Sequence, residues 1–289
     1  MVFDTLAGAH PTGNLIVLQN TLYWSYIHPV DDPAHHTCVM MCEPGQAARV
    51  LLRSDCAGRD FMLYANAEDE IYIIERKILS DSRTFQIRVL KMCPWEEPIV
   101  IWNWVDDPMH IGEGGFMMPD DETIIFVHYP SLYYVKKGSA PQLYKEWLAP
   151  LKRIRAIENQ EMLLLGDGEC WRVNSQGKVL SHWDLLVDPK IEEAPLGRNQ
   201  IFGMDYLDGQ LLLAYWGKRS FELYTQDGTR TCLLQQKSPY APHWVAMDDE
   251  HYYMFSSELI FDGSTPQPLL QCLDAQGNWI PIWSGTSMD

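Results

Sequence analysis

A chain of 289 residues, 46% hydrophobic and 21% charged, has enough apolar material for a large core, in one big domain or two small ones. Its formal net charge is −17, and the only basic run is "LKRIR" at 151–155. That balance argues against nucleic acid or an anionic membrane as partner, because phosphate contacts need clustered cations, and it suits basic proteins or metal ions.

The first residues, "MVFDTLAGAHPTGN", have no basic start and no sustained apolar stretch, so no secretory signal is read there and a cytoplasmic location is expected. No later run approaches the roughly 20 apolar residues that span a bilayer. From residue 15 the pattern becomes periodic. Six segments share a short apolar strand, a polar turn and a second apolar or aromatic strand: "LIVLQNTLYWSYI" (15–27), "FMLYANAEDEIYII" (61–74), "FMMPDDETIIFVH" (116–128), "IRAIENQEMLLLG" (154–166), "GMDYLDGQLLLAYW" (203–216) and "WVAMDDEHYYMF" (244–255). Their turns use Asn, Asp and Gly, the residues that accept tight hairpin geometry.

A second hairpin follows each segment. Five of these six turn at a central glycine (Gly45, Gly138, Gly177, Gly228 and Gly277), and residues 94–97 take that place in the second. Four end on a tryptophan: Trp102, Trp147, Trp183 and Trp283. Helix signals are nearly absent, with room for one turn in "LVDPKIEEAPLG". The unit is therefore four antiparallel strands recurring every 40–50 residues or so, the spacing of propeller blades. A sheet apolar on both faces needs a neighbour on each side, and packing blade against blade supplies it. The fold expected is all-β: a six-bladed propeller in a single domain, with blades near 14–54, 58–104, 114–147, 150–184, 199–236 and 240–284. A seventh blade would need strands from "SSELIFDGSTPQP" (256–268). The repeated tryptophans are expected to wedge between adjacent blades.

Seven cysteines, Cys38, Cys42, Cys56, Cys93, Cys170, Cys232 and Cys272, are odd in number and form no C-x-x-C. They read as reduced thiols, with Cys38 and Cys42 on one face of a strand.

Across these segments the chain resembles the β-propeller superfamily over 14–283. The Gly-His and Trp-Asp marks of WD40 repeats and the kelch double glycine are missing. The spacing is similar to six-bladed propellers of the gluconolactonase and NHL kind, and "MDYLDGQLLLAYW" resembles their "DG-x-L-Y-x-A" run. That resemblance implies a divalent ion at the channel mouth, held by one Glu, two Asn and one Asp from inner strands. Here Asn14, Asn199 and Asp205 stand at inner-strand entries, but no matching Glu lies near the N-terminus and "NQ" replaces the usual "NG".

Within a blade, the turns between strands A and B and between C and D are short. The B–C loops and blade-to-blade connections are longer, and longer loops on a rigid scaffold usually carry function. Two of them repeat Val-Asp-Asp-Pro-x-His, at 30–35 and 105–110. They bring carboxylates and imidazoles to the long-loop face: His28, Asp31, Asp32, His35, His36, Asp106, Asp107, His110 and Glu113. The metal candidates are Asp31, Asp32, His35, Asp106, Asp107 and His110, for calcium or zinc. Aspartates before proline also simply make loops. The expected contact residues for a macromolecule are Trp104, Tyr129, Trp216, Arg219, Tyr240 and His243.

Nucleophilic chemistry has less support. No G-x-S-x-G occurs, Ser25, Ser54 and Ser238 have no recognisable histidine spacing, and Cys42 or Cys56 could meet His35 only through folding. "GEGG" at 112–115 opens a strand and no Gly-Lys-Ser/Thr follows, so no phosphate cradle is read. The primary expectation is a non-catalytic propeller that binds a cationic protein, of the antitoxin or immunity kind. The alternatives are a metal-dependent hydrolase of small esters, lactones or phosphoesters, and a sugar-binding or sugar-cleaving protein using Asp31 with Asp106.

Overall fold

The computed structural model describes residues 14–27, 36–66, 68–79, 84–94, 96–147, 149–157, 160–185, 200–259, 267–274 and 276–285. Among the described residues the regular structure is all β. Six antiparallel sheets of four strands are each made from four strands consecutive in sequence, the arrangement of a six-bladed β-propeller. The blades run over 15–53, 59–106, 116–145, 153–184, 201–235 and 240–283. Residues 256–258 extend the second strand of the sixth blade (Tyr252–Glu258), and 268 opens its third (Pro268–Leu273). Two compact units divide the chain: 60–188 holds blades two to four, and 1–59 with 189–289 holds blades one, five and six.

Local sequence explains the hairpins. Gln19 and Asn20 both adopt positive φ (48° and 62°), as do Asp208 and Gly209 (46° and 83°). Two successive positive φ values make the turn whose twist matches the flanking strands. The five glycines of the second hairpins all lie at φ between 70° and 83°, a region that costs a side chain energy.

Tryptophans join neighbouring blades. In the unit 60–188, Trp102 is buried at the outer strand of blade two, and its indole N–H donates to the carbonyl of Asp121 in blade three at 2.8 Å. Trp147 meets Trp171 of blade four edge-on at 5.7 Å. In the other unit, Trp283 of blade six packs on Trp24 and Tyr26 of blade one, with ring centroids 5.3 and 4.8 Å away. That core also buries Cys38 and Cys42. Blade six therefore meets blade one through side chains, and among the described residues no strand is exchanged between them.

Candidate functional site

In the unit that holds blades one, five and six, the second strand of blade five (Gln210–Tyr215) ends in the turn Trp216-Gly-Lys-Arg-Ser, which enters the third strand (Ser220–Tyr224). Arg219 takes φ +56° there, and its N–H closes the turn onto the Trp216 carbonyl at 3.2 Å. A Cβ on Gly203 would lie 2.7 Å from the His243 carbonyl oxygen, so the first strands of blades five and six approach closely only because 203 is glycine.

That approach assembles an aromatic patch at the long-loop end of the two blades. Phe202 stacks on His243 at 5.6 Å and 28°, and meets Trp216 edge-on at 5.8 Å. Ser257, buried, lies 2.8 Å from His243 Nε2 and fixes the imidazole. Arg219 Nη1 donates to the Tyr240 carbonyl at 3.0 Å, tying the turn to the start of blade six. Phe202, Trp216, Arg219, Tyr240 and His243 are all half-buried. Four of the six contact residues expected from sequence therefore stand together. Phe202 and Ser257 complete the group and were not singled out. Phe202 opens an inner strand behind "NQ", and its place in a loop-end cluster depends on Gly203 and the neighbouring blade, which no local pattern encodes.

A polar network supports the turn from within. Glu222 is 1% exposed and takes a hydrogen bond from Ser220 Oγ at 2.9 Å and an ion pair from Arg230 at 2.7 Å. Lys218 lies 3.6 Å from Glu222 and 4.3 Å over the Tyr215 ring. Burial first, and then the adjacent Tyr224, raise the Tyr215 phenol well above its ordinary range, so it stays neutral and shares a 3.0 Å hydrogen bond with Tyr224. A buried carboxylate paired and hydrogen-bonded this fully holds its neighbours in fixed rotamers.

In the unit 60–188, the Asp-Asp-Pro turn leaves the outer strand of blade two (Ile99–Asp106). Asp106 is exposed and accepts from Gln86 Nε2 at 2.8 Å. Asp107 is 1% exposed, and its oxygens accept the Ile111 N–H at 3.0 and 2.9 Å. Burial raises its carboxyl above the ordinary range, and the Ile111 hydrogen bond counters only part of that. His110 turns to Glu113 (3.3 Å) and to the Phe85 ring (4.5 Å). Arg76 bridges Glu113 at 2.6 Å and Asp60 at 2.7 Å. Burial pushes Glu113 up, but Arg76 and His110 outweigh it and hold the carboxyl below its usual range. Burial drives the Arg153 guanidinium down to about 10 despite the charge of Glu113.

The other expected site residues fall as follows. Trp104 lies under two cations, Lys77 Nζ at 4.2 Å and the Arg88 guanidinium at 5.0 Å from its ring centre. Tyr129 is 61% exposed. Asp205 uses Oδ2 to accept the Met247 N–H at 3.0 Å. Asp31, Asp32, His35 and Asn199 lie outside the described residues. Among the described residues no three His, Cys, Asp or Glu side chains are grouped so as to hold a metal ion, and no helix is long and apolar enough to cross a membrane.

No protein-family model matches the sequence, and no curated protein matches it. Solved structures match in fold. The virginiamycin B lyase from Staphylococcus aureus is 9% identical with a TM-score of 0.52, the alignment covering 85% of this chain and 92% of that one. A streptogramin B lyase is 9% identical with a TM-score of 0.53, covering 99% of this chain and 86% of that one. A chain of a nidogen–laminin complex is 13% identical with a TM-score of 0.51, covering 86% and 89%. At these identities the likeness is one of β-propeller architecture.

Proposed function

We propose that this propeller is a non-catalytic binding module that recognises a cationic protein, with the Phe202–Trp216–His243 patch as its anchor. The clustering carries this reading. One indole, one phenyl ring, an imidazole and a guanidinium stand half-buried in one place, on strand ends and the tight turn between two strands. Trp, Tyr and Arg are the residues that dominate protein interfaces when they sit in such packed patches. The net charge of −17 supports a basic partner, since complementary charge steers association. A partner that must be captured quickly and held tightly, as a toxin is by its antitoxin, fits both features.

The test is cross-linked affinity capture from the source cells with the wild-type chain and with Trp216→Ala/Arg219→Ala. A basic protein retained by the wild type, released by salt and lost by the variant is the expected result. Retention by both chains, or no specific partner, overturns the reading. Elemental analysis and thermal-shift scans with calcium, zinc and manganese accompany it, because a metal bound by the native state alone raises the melting temperature by mass action. A metal-specific shift with hydrolysis of a small ester would replace the binding module with the metal-dependent hydrolase.

A further inference from the structure

Blades three and six carry the same hairpin, Asp-Asp-Glu at 120–122 and at 248–250. The turns share one bond: Asp120 Oδ1 accepts the Glu122 N–H at 2.9 Å, and Asp248 Oδ1 accepts the Glu250 N–H at 2.9 Å. In blade six the second oxygen of the aspartate is also used. Tyr253, 7% exposed, donates its hydroxyl to Asp248 Oδ2 at 2.8 Å. Blade two fills the same row. Strand pairing aligns Ile74–Val89–Trp102 with Phe255–Leu270–Trp283, and two residues earlier stand Tyr72 and Tyr253. The Tyr72 hydroxyl also donates to a turn aspartate, but across the blade joint, to Asp121 Oδ1 of blade three at 2.7 Å.

Blade three has no tyrosine in this row. Its row is Val127–Leu132–Lys145, so the residue two positions earlier is Ile125. Tyr72 of blade two bonds Asp121 of this turn, but the second oxygen of Asp120 accepts no bond among the described residues. A cleft of about 400 Å³ opens there between blades three and four. Met117, Ile125 and Met162 form its apolar floor, all nearly fully buried. Tyr134 and Tyr144, edge-on at 6.2 Å, form its wall. Their hydroxyls are committed elsewhere, to Gln142 Oε1 and the Ser175 carbonyl, which leaves their rings for contact. In blade five, where Leu212 holds this row, a cleft of about 490 Å³ also opens, but its Asp248 already bonds Tyr253.

We propose that the cleft between blades three and four binds a small phenol. The ligand's ring takes the place that a tyrosine fills in blades two and six, and its hydroxyl donates to Asp120. The volume falls in the range of small-molecule sites, and the lining sets apolar and aromatic walls beside the polar Asp120, Thr123, Lys136 and Ser175. Methionine sulfur and aromatic edges suit a planar ring.

The probe is p-cresol, the tyrosine side chain without its backbone, titrated by calorimetry and thermal shift. The wild type should bind it saturably and more tightly than toluene, which lacks the hydroxyl. Ile125→Tyr supplies the missing side chain from within and should weaken p-cresol binding by at least about tenfold while keeping the far-UV spectrum. If that variant does not fold, Asp120→Asn, at an exposed position, serves instead and should remove the preference for p-cresol over toluene. Lack of saturable binding to the wild type, equal binding of toluene, or undiminished binding by the folded variant overturns the proposal.

Discussion

Single residues decide how the blades meet. Trp283 touches Trp24, Tyr26 and Phe255, so it belongs to two blades at once. It is 6% exposed, and replacing it by alanine removes contacts that no small rearrangement restores. Trp283→Ala should cost about 3–5 kcal/mol in urea unfolding, whereas Trp283→Phe should cost clearly less because a ring remains in the gap. A loss under 1 kcal/mol for the alanine variant would mean that the last blade does not rest on this side chain. Asp107 shows the reverse case. Its sequence context reads as a loop carboxylate open to a ligand, but its oxygens face inward to the Ile111 N–H. Only the fold could reveal that, because burial depends on contacts that the local sequence does not specify.

Strands and turns were largely legible, and contacts between blades were not. Asn20, Asp208 and Gly209 adopt the positive φ values that their residue types favour, so hairpin positions follow from local chemistry. The difference between Tyr72, Tyr253 and Ile125 is visible in the letters, yet it acquires meaning only once strand pairing aligns the three positions. The joint between blades two and three is another such case. Lys91 pairs with Glu70 at 2.7 Å and with Asp121 at 2.9 Å, and Asp121 also takes the Tyr72 hydroxyl. Burial pushes both carboxyls up, but the bonds from Lys91 outweigh it and leave them below the ordinary range. Groups with depressed folded pKa values stabilise the fold above the unfolded carboxylate pKa, and that contribution fades as pH falls through the folded values. Lys91→Ala should therefore lower the melting temperature at neutral pH, with the gap to wild type closing as pH drops below the ordinary carboxylate range. A gap that is constant with pH would show that Lys91 acts through packing alone.

At the scale of the whole molecule, charge dominates. A net charge of −17 over 289 residues repels itself, which favours solubility and opposes compactness. Moderate sodium chloride should raise the melting temperature by screening that repulsion, and should slow capture of a basic partner over the same range. A melting temperature that falls with added salt would mean that attractive pairs such as Arg76 with Glu113 and Asp60 outweigh the repulsion.

Among the described residues each sheet takes its four strands from one continuous stretch of chain, and the last blade lends none to the first. A nascent chain can therefore complete each of these blades as its own four strands leave the ribosome, without holding an unpaired edge open for a strand supplied later. The order of synthesis is then also an order of folding, and exposed strand edges, the usual route to aggregation in β proteins, are short-lived at each stage.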